Sequence, residues 1–220
     1  MPKPSAKARA RKIKLILFDV DGVLTDGKIW IFPAPSDGKE SVLEKSAGAS
    51  SAQNAGTSET DSSGTAHGGT SYRPFTLVEA KGFNAHDGAG ISLARLGGIK
   101  TGLITKRTSE TVALRARDLK MEHVYQGIHD KAGALRQIIE KEGIAAEEAA
   151  FVGDDVIDLP VMRQCGLAIA VKNARPEVKA EAHHVTAHAG GDGAARDAIE
   201  FILKAQGKWK KVVADYTKER

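Results

Sequence analysis

Two groups of aspartates stand apart by spacing and position. The first is Asp19-Val20-Asp21-Gly22-Val23-Leu24-Thr25-Asp26-Gly27, directly after the apolar run Ile-Lys-Leu-Ile-Leu-Phe at 13–18. The second is Gly153-Asp154-Asp155-Val156-Ile157-Asp158, directly after Ala149–Val152. Two carboxylates one residue apart, where the chain turns, can approach a single centre. A bare Asp-x-Asp is weak evidence, because acidic turns are common. A helix N-cap accounts equally well for Asp155 or Asp158, but no cap accounts for both clusters together. So many carboxylates at one edge repel one another unless a cation joins them. Mg2+ is the fitting cation, since it takes oxygen ligands from one or two carboxylates plus waters and phosphate.

Two further residues extend the constellation. Thr105 ends the apolar stretch Thr101–Ile104, and its hydroxyl and the amides after it can hold anionic oxygens at a helix start. Lys131 opens a helix after Gln126-Gly127-Ile128-His129-Asp130 and can neutralise such an anion. Taken alone, Thr105 reads as a cap and Lys131 as a surface lysine. The remaining candidates carry less. His183, His184 and His188 lack an accompanying metal-ligand pattern and read as surface or loop residues. Cys165 reads as core, Asp87 as the N-cap of a helix starting near Gly88 with His86 beside it, and Trp209 as an anchor for the C-terminal tail.

The elements that must position these residues follow from the hydrophobic pattern. Strands are predicted at 13–18, 101–104, 123–125, 149–152 and 167–170. Helices are predicted at 89–96, 109–119, 131–141, 159–165 and 194–205. This alternation predicts an α/β fold, a doubly wound parallel sheet covered on both faces. Both acidic groups then lie beyond the carboxyl ends of strands, where such sheets bind ligands. Runs 28–32 and 76–80 break the alternation and read as a projecting β-hairpin without a large cap domain. Between them, residues 46–71 hold no Val, Ile, Leu, Met or aromatic residue, so about 36–73 is expected to be a disordered insertion. The predicted organisation is a basic disordered tail at 1–12, one domain at 13–208 and a C-terminal tail at 209–220.

The formal net charge of +4 belongs to the ends of the chain: residues 1–14 carry +6 and residues 204–220 carry +4, leaving −6 between them. That distribution argues against a nucleic-acid-binding core. A single cysteine rules out an intramolecular disulfide, and no apolar run approaches the roughly 20 residues of a membrane span. A cytoplasmic protein with no membrane or nucleic-acid partner is the expectation.

In order and spacing, Asp19-x-Asp21, Thr105, Lys131 and Gly153-Asp154-Asp155-x-x-Asp158 resemble the motif set of the haloacid dehalogenase superfamily of phosphatases. The strings LFDVDGVLTDGKIW, KGFNAHDGAGI, YQGIHDK, FVGDDVIDLPVM and GGDGAARDAIEFIL narrow the resemblance. They are similar to the capless branch typified by 3-deoxy-D-manno-octulosonate 8-phosphate phosphatase, across about residues 13–208 apart from the insertion. The resemblance implies Asp19 as the covalent nucleophile and Asp21 as the acid and base. It implies Mg2+ held by Asp19, the backbone carbonyl of Asp21 and Asp154, with Asp155 and Asp158 orienting metal waters. Thr105 and Lys131 would bind phosphate, and Arg107 would grip a substrate carboxylate. Lys106 stands where the family often has glycine. The implied substrate is the eight-carbon keto sugar acid phosphate of lipopolysaccharide synthesis, with a nine-carbon acid phosphate as the alternative, and the implied assembly is a homotetramer. An inactive binding protein on the same fold is the competing class, and the intact Asp19 and Asp21 argue against it.

Overall fold

The structure is a computed structural model and describes residues 4–34 and 77–218. The insertion expected at 36–73 lies outside the described residues. In chain order the main elements are α1 (Ala6–Ala10), β1 (Leu15–Phe18), β2 (Trp30–Pro33), β3 (Leu77–Ala80), α2 (Ala85–Leu96), β4 (Lys100–Ile104), α3 (Glu110–Asp118) and β5 (His123–Tyr125). There follow α4 (Lys131–Glu142), β6 (Ala149–Gly153), α5 (Leu159–Met162), β7 (Leu167–Ala170), α6 (Pro176–Glu181), β8 (His184–Val185), α7 (Ala194–Ala205) and α8 (Trp209–Lys218).

Six strands form a parallel sheet in the order β5-β4-β1-β6-β7-β8. Counted along the chain, that is the 3-2-1-4-5-6 order of a doubly wound sheet. The Leu-Ile-Leu-Phe run of β1 is fully buried, as a central strand covered on both faces must be. It pairs with β4 on one side and β6 on the other, in register Phe18↔Leu103 and Phe18↔Val152. The strand order therefore reverses at β1, and the carboxyl ends of β1, β4 and β6 open onto one crevice.

Helix α7 covers this sheet with a stripe of Ala194, Ala195, Ala198, Ile199, Ile202 and Leu203, all buried. Burying each large side chain of that stripe contributes about 1.5–3 kcal/mol. Strands β2 and β3 form a separate two-stranded antiparallel sheet. Most of that hairpin belongs to a second compact unit, residues 31–79. Among the described residues, no helix is long and apolar enough to cross a membrane.

Two expectations, for the N-terminal tail and for the start of α2, need correction. From Ala6 onward the N-terminal tail is a short helix rather than disordered chain, capped by Ser5 and anchored by buried Ala10. The Gln206 amide donates to Ala10 O at 3.3 Å and Ile13 O at 2.7 Å, fastening one end of the chain to the other. The C-terminal tail is α8, with Val212 buried and Trp209 beneath the Arg196 and Lys204 cations at 5.3 and 5.2 Å. Helix α2 starts at Ala85, and Asn84 is its cap, accepting from His86 N at 2.7 Å. Buried Asp87 instead accepts from Gly193 N and Arg196 N, at 3.2 and 2.9 Å, and so caps the first turn of α7 from a neighbouring helix.

Candidate active site

The residues after β1 do not continue as a strand, because Gly22 turns the chain out of the extended path. Gly22 has φ of +92°, and Thr25 N closes the turn on Val20 O at 3.0 Å. Two glycines permit this loop to pack. A Cβ on Gly22 would fall 2.2 Å from Asp154 Oδ2, and one on Gly190 would fall 1.6 Å from Gly22 O. The Gly190–Gly193 loop thus buttresses the turn that carries Asp19 and Asp21, with Gly191 N donating to Val23 O at 2.9 Å.

Asp19 sits at the carboxyl end of β1, 4% exposed, its amide bonded to Val152 O at 3.0 Å. Lys131, the first residue of α4 and 4% exposed, reaches Asp19 Oδ1 at 2.8 Å and Asp158 Oδ1 at 2.7 Å. Burial tends to lower the lysine's pKa, but the two carboxylates outweigh it and the pKa is raised. Asp158 is fully buried, and its other oxygen accepts from Asp154 N at 3.0 Å. Asp155 is exposed, and its carboxylate accepts from the adjacent Val156 N at 2.7 Å. The two acids that the sequence left equivalent thus differ: Asp158 is built into the centre, whereas Asp155 caps a turn beside it.

Asp154 follows β6 directly. Its Oδ1 is buried, and no group among the described residues donates a hydrogen bond to it. Burial, then the charges of Asp158, Asp19 and Asp155, push its pKa up to about 7. Burial and Asp158 likewise raise Asp19 to about 6 against the opposing pull of Lys131. Oxygens of Asp19, Asp154 and Asp158 lie within 4.8 Å of one another. Asp158 is already committed to Lys131 and an amide, so Asp19 and Asp154 are the carboxylates with oxygen left to give. An orphaned buried carboxylate oxygen among repelling acids fits a hard divalent cation.

Asp21 turns its side chain away from that group. Its Oδ1 is ion-paired with the Lys81 ammonium, and Arg107 Nε lies 3.7 Å from its Oδ2. Thr105 directly follows β4, 3% exposed, with its amide on Tyr125 O at 2.9 Å. Asp19, Asp21, Thr105, Lys106, Arg107, Asp154, Asp155 and Ile157 line one open cleft of about 240 Å3. Lys131 is joined to this lining through its contact with Asp19. All the residues expected at the site are therefore brought to one edge of the sheet. Sequence reasoning gave Lys81 no role, although it follows a strand and opens the string KGFNAHDGAGI.

The weaker candidates have structural partners. His183 Nδ1 accepts from Ala168 N at 2.9 Å, His184 stacks on Phe201 with centroids 4.0 Å apart, and His188 pairs with Asp197 at 2.9 Å. Cys165 is buried, and its thiol pKa is pushed up to about 12 by that burial.

A doubly wound sheet with paired acids at its switch point, a threonine just after one neighbouring strand and a helix-borne lysine defines the haloacid dehalogenase-like hydrolases. The family model of that description matches residues 104–197. Over 201 residues the chain is 35% identical to 3-deoxy-D-manno-octulosonate 8-phosphate phosphatase of Escherichia coli K12, spanning 91% of this chain and 85% of that protein. The chain belongs to this phosphatase family. The crystal structure of the Moraxella catarrhalis enzyme, in complex with magnesium, phosphate and KDO, superposes with a TM-score of 0.73 at 31% identity, covering 96% of this chain and 97% of that one. The Yersinia pestis enzyme gives a TM-score of 0.71 at 32% identity, covering 93% and 88%.

Proposed function

We propose that this chain hydrolyses the phosphate monoester of 3-deoxy-D-manno-octulosonate 8-phosphate, with Asp19 as nucleophile, and so serves lipopolysaccharide synthesis. The observation that carries the reading is the orphaned Asp154 oxygen beside Asp19, in the cleft shared with Asp21 and Thr105. Asp19, Asp154 and the backbone carbonyl of Asp21 would hold Mg2+. When bound, the ion supplies charge neutralisation for the phosphoryl oxygens and keeps Asp19 ionised.

The chain's own residues supply the rest. Lys131 fixes the Asp19 carboxylate and adds positive charge beneath the phosphate, while Thr105 binds a phosphoryl oxygen. Asp19 forms a bond to phosphorus as the phosphorus–ester oxygen bond breaks, and Asp21 gives its proton to the departing oxygen. Water then attacks the aspartyl-phosphate, Asp21 takes the water's proton, and inorganic phosphate leaves with Asp19 restored. Arg107, half-exposed at the cleft rim, would meet the substrate carboxylate. Asp155 would orient waters on the ion, while Asp158 holds Lys131 and the Asp154 amide in place. Phosphate release from the octulosonate ester, abolished by EDTA, tests the reading. Cleavage of the nine-carbon ester in preference would move the substrate and keep the chemistry, while cleavage of neither ester nor an aryl phosphate would sink it.

The metal reading makes a linkage prediction. Asp19 and Asp154 have folded pKa values raised from 3.8 to about 6 and about 7. Without a cation the folded state thus binds more protons than the unfolded chain between about pH 4 and 7, and stability falls as pH rises through that window. Mg2+ binds the ionised form and opposes this loss. A hundredfold excess over Kd adds about 2.7 kcal/mol, roughly 5–10 °C in Tm for a chain of this length. Melting curves should show a larger magnesium shift at pH 8 than at pH 5.5. Equal shifts at the two pH values would remove these carboxylates from the binding site.

A homotetramer and cytoplasmic residence complete the reading. Trp30, Ile31, Phe32, Leu77 and Val78 of the hairpin are 46–60% exposed, more apolar surface than a free hairpin is expected to leave in water. Light scattering should return four chains per particle, and Phe32→Asp with Val78→Asp should lower that number. A monomeric parent chain would refute the assembly.

A further inference from the structure

Lys81 is the first residue after β3, and it stands 60 positions from Asp21 in the sequence. Its side chain has no solvent exposure, and its ammonium is ion-paired with Asp21 Oδ1. An ammonium at that depth is held by its ionic partners, since burial strips away the water that would otherwise stabilise it. Asp21 faces the cleft with its side chain 21% exposed, and its other oxygen lies 3.7 Å from the Nε of Arg107, itself 48% exposed. The carboxyl is thus flanked by two cations of different setting, one in the interior and one half-exposed at the cleft. We infer that Lys81 is a positioning residue for the leaving-group step: it clamps Oδ1 of Asp21 so that Oδ2 faces the ester oxygen.

The physical need is specific. The terminal torsion of an aspartate is broad and nearly two-fold, so an unclamped carboxyl swivels between orientations. A displacement of about 1 Å at a reacting group costs on the order of a hundredfold in rate. Arg107 cannot serve as the clamp if it is drawn to the substrate carboxylate, as the proposed function requires. Lys81 has no access to solvent and remains on Asp21 throughout. The inference rests on the proposed function, in which Asp21 carries the proton to the leaving oxygen.

Leaving groups separate this role from a merely structural one. An alkoxide departs only with a proton delivered to it, whereas p-nitrophenolate departs readily without one. The measurement is kcat and KM on p-nitrophenyl phosphate and on a primary alkyl phosphate that the parent chain turns over. In Lys81→Met the ratio of alkyl to aryl kcat should fall at least about tenfold, given that positioned proton transfer contributes about 10²–10⁴. The fall should appear in kcat rather than KM, and Lys81→Arg should recover part of it. In an Asp21→Asn background, Lys81→Met should leave the ratio where Asp21→Asn put it. That double variant also removes the stranded carboxylate and keeps the comparison available if Lys81→Met alone fails to fold. An equal loss on both esters, or the same fall without Asp21, overturns the inference and leaves the phosphatase reading standing. A parent chain that cleaves neither ester overturns both.

Discussion

Asp19→Asn is expected to lower kcat by roughly 10⁴-fold or more, the scale seen when a nucleophile is removed, while the protein melts at an unchanged or higher temperature. The two halves of that prediction have one cause. Asp19 is 4% exposed beside Asp158, and its pKa is raised to about 6, so at neutral pH its charge opposes folding. The amide keeps the shape and a carbonyl acceptor for Lys131, but removes the charge. Lys131 retains its second partner, Asp158, at 2.7 Å. What stabilises the chain thus disables it, as expected where a site is held in an electrostatically unfavourable state for function. Steady-state kinetics and a melting curve in EDTA check both halves. Residual turnover above about 1% of the parent would point to a different nucleophile, and a large fall in Tm would show that the Asp19 charge supports the fold.

The parts of this molecule legible in the sequence are those whose cause is local. β1, β6 and β7 are continuous apolar runs because both faces of a central parallel strand are covered, and α7 carries its apolar stripe at helical spacing. The acids after β1 and β6 were legible for the same reason, since a run that stops at Asp-x-Asp or Gly-Asp-Asp places its acids at the sheet edge. The helices at the ends were not. Lys7, Arg9, Arg11, Lys210 and Lys211 dominate those segments, and the few apolar anchors, Ala10, Val212 and Trp209, were outnumbered. Strand β8 has two residues, too few for any period. Asp87 was placed at the right helix with the wrong partner, because the amides it caps lie more than 100 residues away. Lys81 was hidden for the same reason: its meaning is the buried contact with Asp21, which nothing in KGFNAHDG announces. Asp155 and Asp158 look alike in sequence, and only packing assigns one to the interior and the other to a turn.

Lys131→Met should be the most destabilising single change at the site, costing about 3–5 kcal/mol. Lys131 is 4% exposed between Asp19 and Asp158, whose side chains are 6% and 0% exposed, so its removal strands two buried carboxylates at once. For a chain of this length the cost is roughly 6–20 °C in Tm. The sign with pH follows from the same charges. Without the ammonium, which opposes the rise in its pKa, Asp19 favours its protonated form more strongly, so the folded state gains affinity for protons and the loss is larger at pH 8 than at pH 5.5. Asp158→Asn removes one of the stranded charges, and the double variant should recover a substantial part of the stability, a coupling that additive effects would not produce. Turnover should not recover with it. Loss of positive charge beneath the phosphoryl group costs about 10²–10³ in kcat, and the amide at 158 supplies none. Recovery of Tm without recovery of kcat would separate the lysine's two duties, shielding the acids in the fold and neutralising phosphate in the reaction. Recovery of both would leave it only the first.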